Sequence, residues 1–126
     1  MTGQYINDAV AYARVVGQTA AVSPVVSWAV GAADTSYLIT GNVDVSAYTS
    51  GSFSLQVSYT NESGTAANAT MQGHFTSGYG TTISGLGSFE VEPIEIRAQA
   101  GTTINLLTVG TFTNLTYNVE GRIYVL

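Results

Sequence analysis

The segment Ser52-Phe-Ser-Leu-Gln-Val-Ser-Tyr59 decides the fold of this chain. Its apolar residues Phe53, Leu55 and Val57 alternate with serine and glutamine, and a period of two puts the two sets on opposite sides of a strand. Aromatic and β-branched side chains also favour the extended backbone. The segment therefore predicts a β-strand with one face in a core and the other toward solvent.

The same period continues on both sides of this strand. The other predicted strands are 37–45, 67–75, 88–91, 94–98, 102–109 and 115–125. Pro93 interrupts two of them, which indicates a sheet edge or a switch between sheets, since proline cannot donate to a ladder. Turn-forming residues predict turns at 46–51 and 61–64, and glycines predict a long loop over 77–87.

The N-terminal third has a weaker pattern. Residues 9–16 fit a strand or a short helical turn, and Pro24 makes 21–30 an edge or irregular segment. About eight short strands with glycine-rich turns predict an all-β fold, an antiparallel, jelly-roll-like β-sandwich. We expect one domain, with 37–126 as its core and 1–36 as an N-terminal arm or edge strands contacting neighbouring subunits. Residues 1–24 are expected to reach those neighbours, so that deleting the first 20 leaves the sandwich intact.

The composition speaks against catalysis. The chain has no Lys, no Cys, one His and three Arg among 126 residues, whereas enzymes need titratable groups, nucleophiles or metal ligands. We expect no enzymatic activity, no cofactor and no metal site.

The charge balance restricts the partners. The formal net charge is −5, and three scattered arginines make no basic stripe, so we expect neither nucleic-acid binding nor docking on an anionic membrane. No apolar run is long enough to span a bilayer, and no signal peptide is expected at the N-terminus. Synthesis and folding in the cytoplasm of the producing cell are the corresponding expectation.

The surface is expected to be neutral. Charged residues make up 9% of the chain, against about 25% in ordinary soluble domains. One interpretation is that other subunits cover part of this surface, and the other is a hydroxyl-rich monomer. The high apolar fraction of 45% favours the oligomer.

Two clusters have both a functional and a structural interpretation. Glu90, Glu92 and Glu95 could bind calcium, but without an Asp-rich, Gly-punctuated loop an acidic sheet edge is favoured. His74 could serve a serine such as Ser77 or Ser84, but no nucleophile-elbow pattern is present, so a structural histidine is favoured.

Aromatic and apolar residues outside the main alternation are the candidate contacts with partners or ligands. Tyrosine and tryptophan can stack on a sugar or fill a protein interface, although many of them pack into the core instead. The candidates are Tyr5, Ile6, Tyr12, Trp28, Tyr48 and Tyr79.

About 90 residues resemble small β-sandwich modules of tailed bacteriophages. The segments concerned are Tyr-Leu-Ile-Thr-Gly-Asn-Val-Asp-Val (37–45), Leu-Gln-Val-Ser-Tyr-Thr-Asn-Glu (55–62), Pro-Ile-Glu-Ile-Arg-Ala (93–98), Ala-Gly-Thr-Thr-Ile (100–104) and Tyr-Asn-Val-Glu-Gly-Arg-Ile (117–123). Such modules are capsid decoration proteins or head domains of tail fibres, typically trimeric jelly rolls.

The resemblance implies a structural virion protein. We expect a homotrimer that decorates the capsid by contacts with itself and with the major capsid protein or other virion proteins. The alternative is the receptor-binding head of a tail fibre, with Tyr48 and the 73–87 loop on a host-surface glycan. No stalk segment is present, which favours decoration.

Overall fold

The computed structural model describes residues 8–75 and 78–126. These residues form nine β-strands: β1 (Ala11–Gln18), β2 (Val26–Ala29), β3 (Thr35–Thr60), β4 (Ala66–Thr70), β5 (Gly73–Phe75), β6 (Gly78–Gly80), β7 (Gly87–Glu90), β8 (Ile94–Ala98) and β9 (Thr103–Val125). All the pairings between them are antiparallel.

Two long strands organise the fold. β3 and β9 pair along almost their whole length, from Tyr37 opposite Val125 to Ser58 opposite Asn105. The register shifts between positions 45 and 52 of β3, where bulges increase twist and let a strand turn. The pair of long strands folds over on itself there, at a place we call the bend.

The two halves of this folded pair of strands face each other. A Cβ atom at Gly41, in the first half of β3, would lie 2.9 Å from Leu55 Cδ1 in the second half. A Cβ at Gly121 would collide with Leu106 in the same way across β9. Glycine at these positions lets the layers approach closely, because a larger side chain would have no room.

Each half becomes one layer of a sandwich. Layer I contains β1, residues 117–125 of β9, residues 35–45 of β3, and β7 with β8 at its edge. Layer II contains β2, residues 103–111 of β9, residues 52–60 of β3, and β4. The expected all-β, antiparallel, jelly-roll-like sandwich is therefore confirmed.

The core lies between the layers. It contains the predicted inward sets Phe53, Leu55 and Val57 and, from the first half of β3, Tyr37, Ile39, Val43 and Val45. Residues 115–123 supply Leu115, Tyr117, Val119 and Ile123. Period-two burial on both long strands is what the sequence alternation requires.

One open edge of the sandwich is covered by the segment that contains β5. Met71 N–H donates to Leu55 O in layer II, and Val91 N–H donates to Gly41 O in layer I. An isolated bridge pairs Gly73 with Val91. The segment thus connects the edges of the two layers.

Several local expectations are wrong in detail. Residues 46–51 form no turn, because bulges carry β3 through the bend without breaking its pairing with β9. The predicted strand 67–75 is two strands, β4 and β5. The predicted 77–87 loop contains the strand β6, and Ile83 within it pairs with Phe53. Of the two alternatives for Pro93, the sheet edge is the correct one: Pro93 lies between β7 and β8 on the outer edge of layer I, where its missing donor is tolerated.

The N-terminal third supplies an edge strand to each layer. β1 runs along β9 from Ala11 opposite Ile123, and β2 pairs with β9 from Val26 opposite Leu106. Val25, Val26 and Val30 are buried in the core. Residues 11–18 are therefore part of the sandwich and not a free arm. The described residues contain no helix that could cross a membrane.

Candidate functional site

The outer face of layer II carries no charged residue. Its strands expose hydroxyl and amide groups in rows, one of which crosses all four strands through Ser27, Asn105, Ser58 and Asn68. We call this surface the uncharged face. Its other members are Ser54, Gln56, Thr70, Thr103, Leu107 and Val109.

The outer face of layer I is charged. Because side chains alternate along each strand, seven charged residues of this layer point toward solvent: Arg14, Asp44, Glu90, Glu95, Arg97, Glu120 and Arg122. The sandwich therefore has one charged and one neutral face, although the same two long strands, β3 and β9, run through both layers.

A hydrogen-bond network is centred on Glu120 in the charged face. Tyr12 donates its hydroxyl to Oε2 of Glu120 at 3.0 Å, and Asn42 donates Nδ2 to Oε1 at 3.4 Å. Arg122 lies 3.8 Å from the same carboxylate, and its guanidinium lies 4.4 Å from the centre of the Tyr12 ring. Three neighbouring strands thus fix one carboxylate.

The environment of Glu120 shifts its pKa in two directions. Burial raises the pKa because it disfavours the charged form, whereas the hydrogen bonds from Tyr12 and Asn42 and the charges of Arg122 and Arg14 lower it. The lowering effects win, so the pKa of Glu120 lies below its ordinary value. Glu120 is ionised at neutral pH.

A shallow groove of about 270 Å³ lies beside this network. Glu90 and Glu120 line it on either side of Asn42, with Thr40, Pro93 and Arg122 among the other lining residues. Its charged groups suit hydrogen bonding to a polar ligand. A general acid requires a raised carboxyl pKa, which is the opposite of the shift at Glu120.

A second groove, of about 450 Å³, lies at the bend. Tyr48 and Phe112 supply its aromatic lining, and Thr49, Thr113 and Asn114 supply polar groups. The Tyr48 hydroxyl donates to Gly51 O at 3.0 Å, which fixes the ring. We call this groove the bend groove. It brings Tyr48 together with residues from the other long strand.

Tyr79 lies elsewhere, on the hairpin of β5 and β6. Its hydroxyl donates to Glu92 Oε1 at 2.6 Å, and its ring contacts that of His74 at 4.7 Å between centroids. The hydrogen bond to Glu92, then desolvation and the nearby negative charge, raise the pKa of Tyr79. No described residue of the 73–87 segment lines the bend groove, so Tyr48 and this loop form no joint site.

The remaining candidate contacts are placed as follows. Tyr12 is 51% exposed on the charged face, and Trp28 is half-buried against the core. Tyr5 and Ile6 lie outside the described residues, as does Ser77.

The acidic cluster is spread over the edge of layer I. Glu90 lies opposite Asn42, Glu95 lies opposite Leu38, and Glu92 is held by Tyr79. Within residues 8–75 and 78–126, no three His, Cys, Asp or Glu residues come together as a metal site would require.

Sequence reasoning missed the uncharged face and the partners of Glu120. Residues 52–60, 66–70 and 103–111 are each free of charge in the sequence, which is a visible signal. Its meaning depends on the pairing that puts these segments in one layer. Tyr12, Asn42 and Glu120 come from three separate segments, and only the strand register brings them together.

Comparisons with known proteins give similar solved structures but no family. No family model and no curated protein matches the chain. The xylan-binding domain CBM22-1 of Paenibacillus barcinonensis Xyn10C has a TM-score of 0.47 and 14% identity, covering 89% of this chain and 70% of that domain. A chain from the structure of the infectious bursal disease virus Gx strain has a TM-score of 0.49 and 17% identity. This match covers 94% of the present chain and 30% of the viral one. At these identities and TM-scores, neither similarity bears on what the chain binds.

Proposed function

We propose that this protein is a non-enzymatic structural protein of a virion, a capsid decoration protein whose copies meet through the uncharged face. The observation that carries the proposal is the segregation of charge between the two outer faces. The strands of layer I present charged side chains to solvent, and the strands of layer II present none.

The physical basis is the cost of removing ions from water. Burying a charged side chain at an interface costs several kcal/mol unless it finds a well-placed partner. Two copies that meet through the uncharged face bury only hydroxyl, amide and apolar groups, and the serine and asparagine rows can hydrogen-bond across the contact. Each copy carries a formal net charge of −5, so contact through the neutral face also keeps like charges farther apart.

Leu107 and Val109 supply the apolar part of this contact. Both lie on the outward side of β9, and Val109 is 42% exposed. A centre of apolar residues surrounded by neutral polar groups is the usual composition of a subunit interface. A homotrimer on a capsid surface, in contact with the major capsid protein, is the assembly that fits the resemblance to phage modules.

A charge introduced into the uncharged face tests the proposal. Light scattering at micromolar concentration should give an oligomeric mass for the wild type and a monomeric mass for Ser54→Lys, because a buried unpaired ammonium would oppose contact. The matched control is Ser88→Lys, a serine on the charged face opposite Asp44, which should remain oligomeric. A monomeric wild type, or equal dissociation of both variants, would overturn this mode of assembly.

Attachment to capsids tests the virion role separately. The wild type should co-sediment with capsids, and Ser54→Lys should bind less at equal concentration because it lacks the avidity of an oligomer. Absence of co-sedimentation for the oligomeric wild type would reject capsid decoration.

The second candidate function is a receptor-binding head of a tail fibre. The bend groove favours it, since this groove combines Tyr48 with hydroxyl and amide groups. If the protein binds a sugar and does not co-sediment with capsids, the receptor-binding function is favoured over capsid decoration.

A further inference from the structure

We propose that the bend groove is a binding site for a neutral saccharide. This inference deepens the second candidate function, but it holds equally for a decoration protein, since none of the residues of the uncharged face lines the groove. Saccharide binding and subunit assembly can therefore succeed or fail independently.

The lining of the groove excludes an ionic ligand. Its residues are threonine, asparagine, alanine, leucine and two aromatic residues, with no charged side chain among them. A phosphate, carboxylate or ammonium group that enters such a site loses water without gaining a counter-charge, which is unfavourable. A ligand rich in hydroxyl groups meets no such penalty.

The polar groups of the groove are available. The side chains of Thr49, Thr113 and Asn114 form no hydrogen bond to any residue within 8–75 or 78–126, and all three are exposed. A threonine hydroxyl both donates and accepts, and an asparagine amide offers two donors and a carbonyl oxygen. Neighbouring hydroxyls on a sugar ring present the same mixture of donors and acceptors.

The aromatic groups are held in place before any ligand arrives. Tyr48 is fixed by its hydrogen bond to Gly51 O, and Phe112 stacks on Tyr117 with centroids 5.5 Å apart and planes inclined by 25°. A fixed ring offers an apolar surface to the C–H face of a pyranose without losing side-chain entropy on binding. A groove of about 450 Å³ has room for a ligand larger than one sugar ring.

Amide NMR spectra during titration with sugars test the site. The probes are the methyl glycosides of glucose, galactose, mannose and N-acetylglucosamine and their β-linked disaccharides. Each is added to tens of millimolar, which saturates a site with a Kd on the order of 1 mM. At least one probe should cause saturable shifts confined to residues 47–49 and 112–116.

Variants separate the contributions of the groove. Thr113→Val keeps the shape of the side chain and removes its hydroxyl, so the Kd should rise about three- to tenfold, the value of one hydrogen bond. The matched control is Thr103→Val on the uncharged face, which should leave the Kd unchanged. Tyr48→Phe keeps the ring but loses its hydrogen bond to Gly51 O, so it should weaken binding without abolishing it, whereas Tyr48→Leu, which removes the ring, should abolish it.

The outcomes against the proposal are specific. Absence of saturable shifts with every probe, shifts located at the groove beside Glu120, or equal Kd values for Thr113→Val and the wild type would each overturn it. Shifts at 112–116 that appear on raising protein concentration without sugar would instead identify the groove as a contact between copies. The mass of the oligomer, measured on the same samples, reports on the assembly proposal separately.

Discussion

Tyr117 joins the two layers through a buried chain of hydrogen bonds. Its hydroxyl donates to Ala20 O at 2.7 Å, so Thr108 Oγ1, 2.8 Å away, is the donor to Tyr117, and Thr108 in turn accepts from Val22 N–H. Thr108 and Tyr117 are 2% and 0% exposed. Because every group in this chain has a partner, removing one atom leaves others unsatisfied in the core.

We therefore expect Tyr117→Phe to lower the free energy of unfolding by about 1–3 kcal/mol, the usual cost of leaving buried polar groups without a partner. Urea denaturation measures this value. The control is Tyr124→Phe, the same change at a half-buried tyrosine with no hydrogen bond to the rest of the described chain, which should cost less than about 0.5 kcal/mol. Equal effects of the two substitutions would show that the chain of hydrogen bonds contributes nothing.

The network around Glu120 makes a pH-dependent contribution. Its pKa is lowered from the ordinary value of 4.5, so the folded state releases the proton more readily than the unfolded chain. This contribution to stability is present above pH 4.5 and is lost as the pH falls through the lower, folded pKa. Tyr12→Phe removes one donor, so the Glu120 pKa should rise toward its ordinary value, as carboxyl carbon NMR would detect. An unchanged pKa would mean that the Tyr12 hydroxyl does not stabilise the carboxylate.

At the residue scale, the sequence predicts which side chains point into the core wherever alternation within a single strand decides it. The inward positions Phe53, Leu55 and Val57 follow from alternation within one segment. The partners of Tyr117 and Glu120 could not be found, because Thr108, Tyr12 and Asn42 come from strands whose register no local pattern specifies, and Ala20 comes from the connection between β1 and β2.

At the scale of elements, the long strands were the hardest to predict. Residues 46–51 contain Ser, Tyr and Gly and are typical of a turn, yet the chain continues along β9 through the bend. Gly51 has φ of 116°, and a Cβ atom there would lie 2.7 Å from Thr111 O. Local sequence identified the change of direction but not that the ladder persists through it, since pairing depends on a segment more than 60 residues away.

β1 supplies a prediction at this scale. We compare two truncated chains, one starting at Asp8 and one starting at Thr19, so that the difference reports residues 8–18 alone. The shorter chain should be less stable by at least about 2 kcal/mol, because Ala11, Ala13 and Val15 pack on the core and β9 loses a partner strand. It should also aggregate more readily, since the edge of β9 is then open. Circular dichroism melting measures the stability and light scattering measures the aggregation. Equal stability of the two chains would show that residues 8–18 are dispensable for the fold, as expected of an arm.

For the whole molecule, the segregation of charge predicts how assembly responds to salt. The chain has a formal net charge of −5, and the uncharged face contributes nothing to it. Copies that meet through this face repel each other over longer distances without any ion pair at the contact. Salt screens the repulsion, because the Debye length falls from about 10 Å at 0.1 M to about 3 Å at 1 M.

Association should therefore strengthen as sodium chloride is raised from about 0.05 to 0.5 M, whereas an interface built on the arginines and carboxylates of layer I would weaken over the same range. Glu95→Gln provides the matched variant, because it removes one negative charge from the exposed face of β8 without touching the uncharged face. It should associate more tightly than the wild type at low salt and equally at high salt. Sedimentation equilibrium across the salt series measures both curves. If salt instead dissociates the oligomer, and Glu95→Gln associates more weakly than the wild type, the copies meet through the charged face.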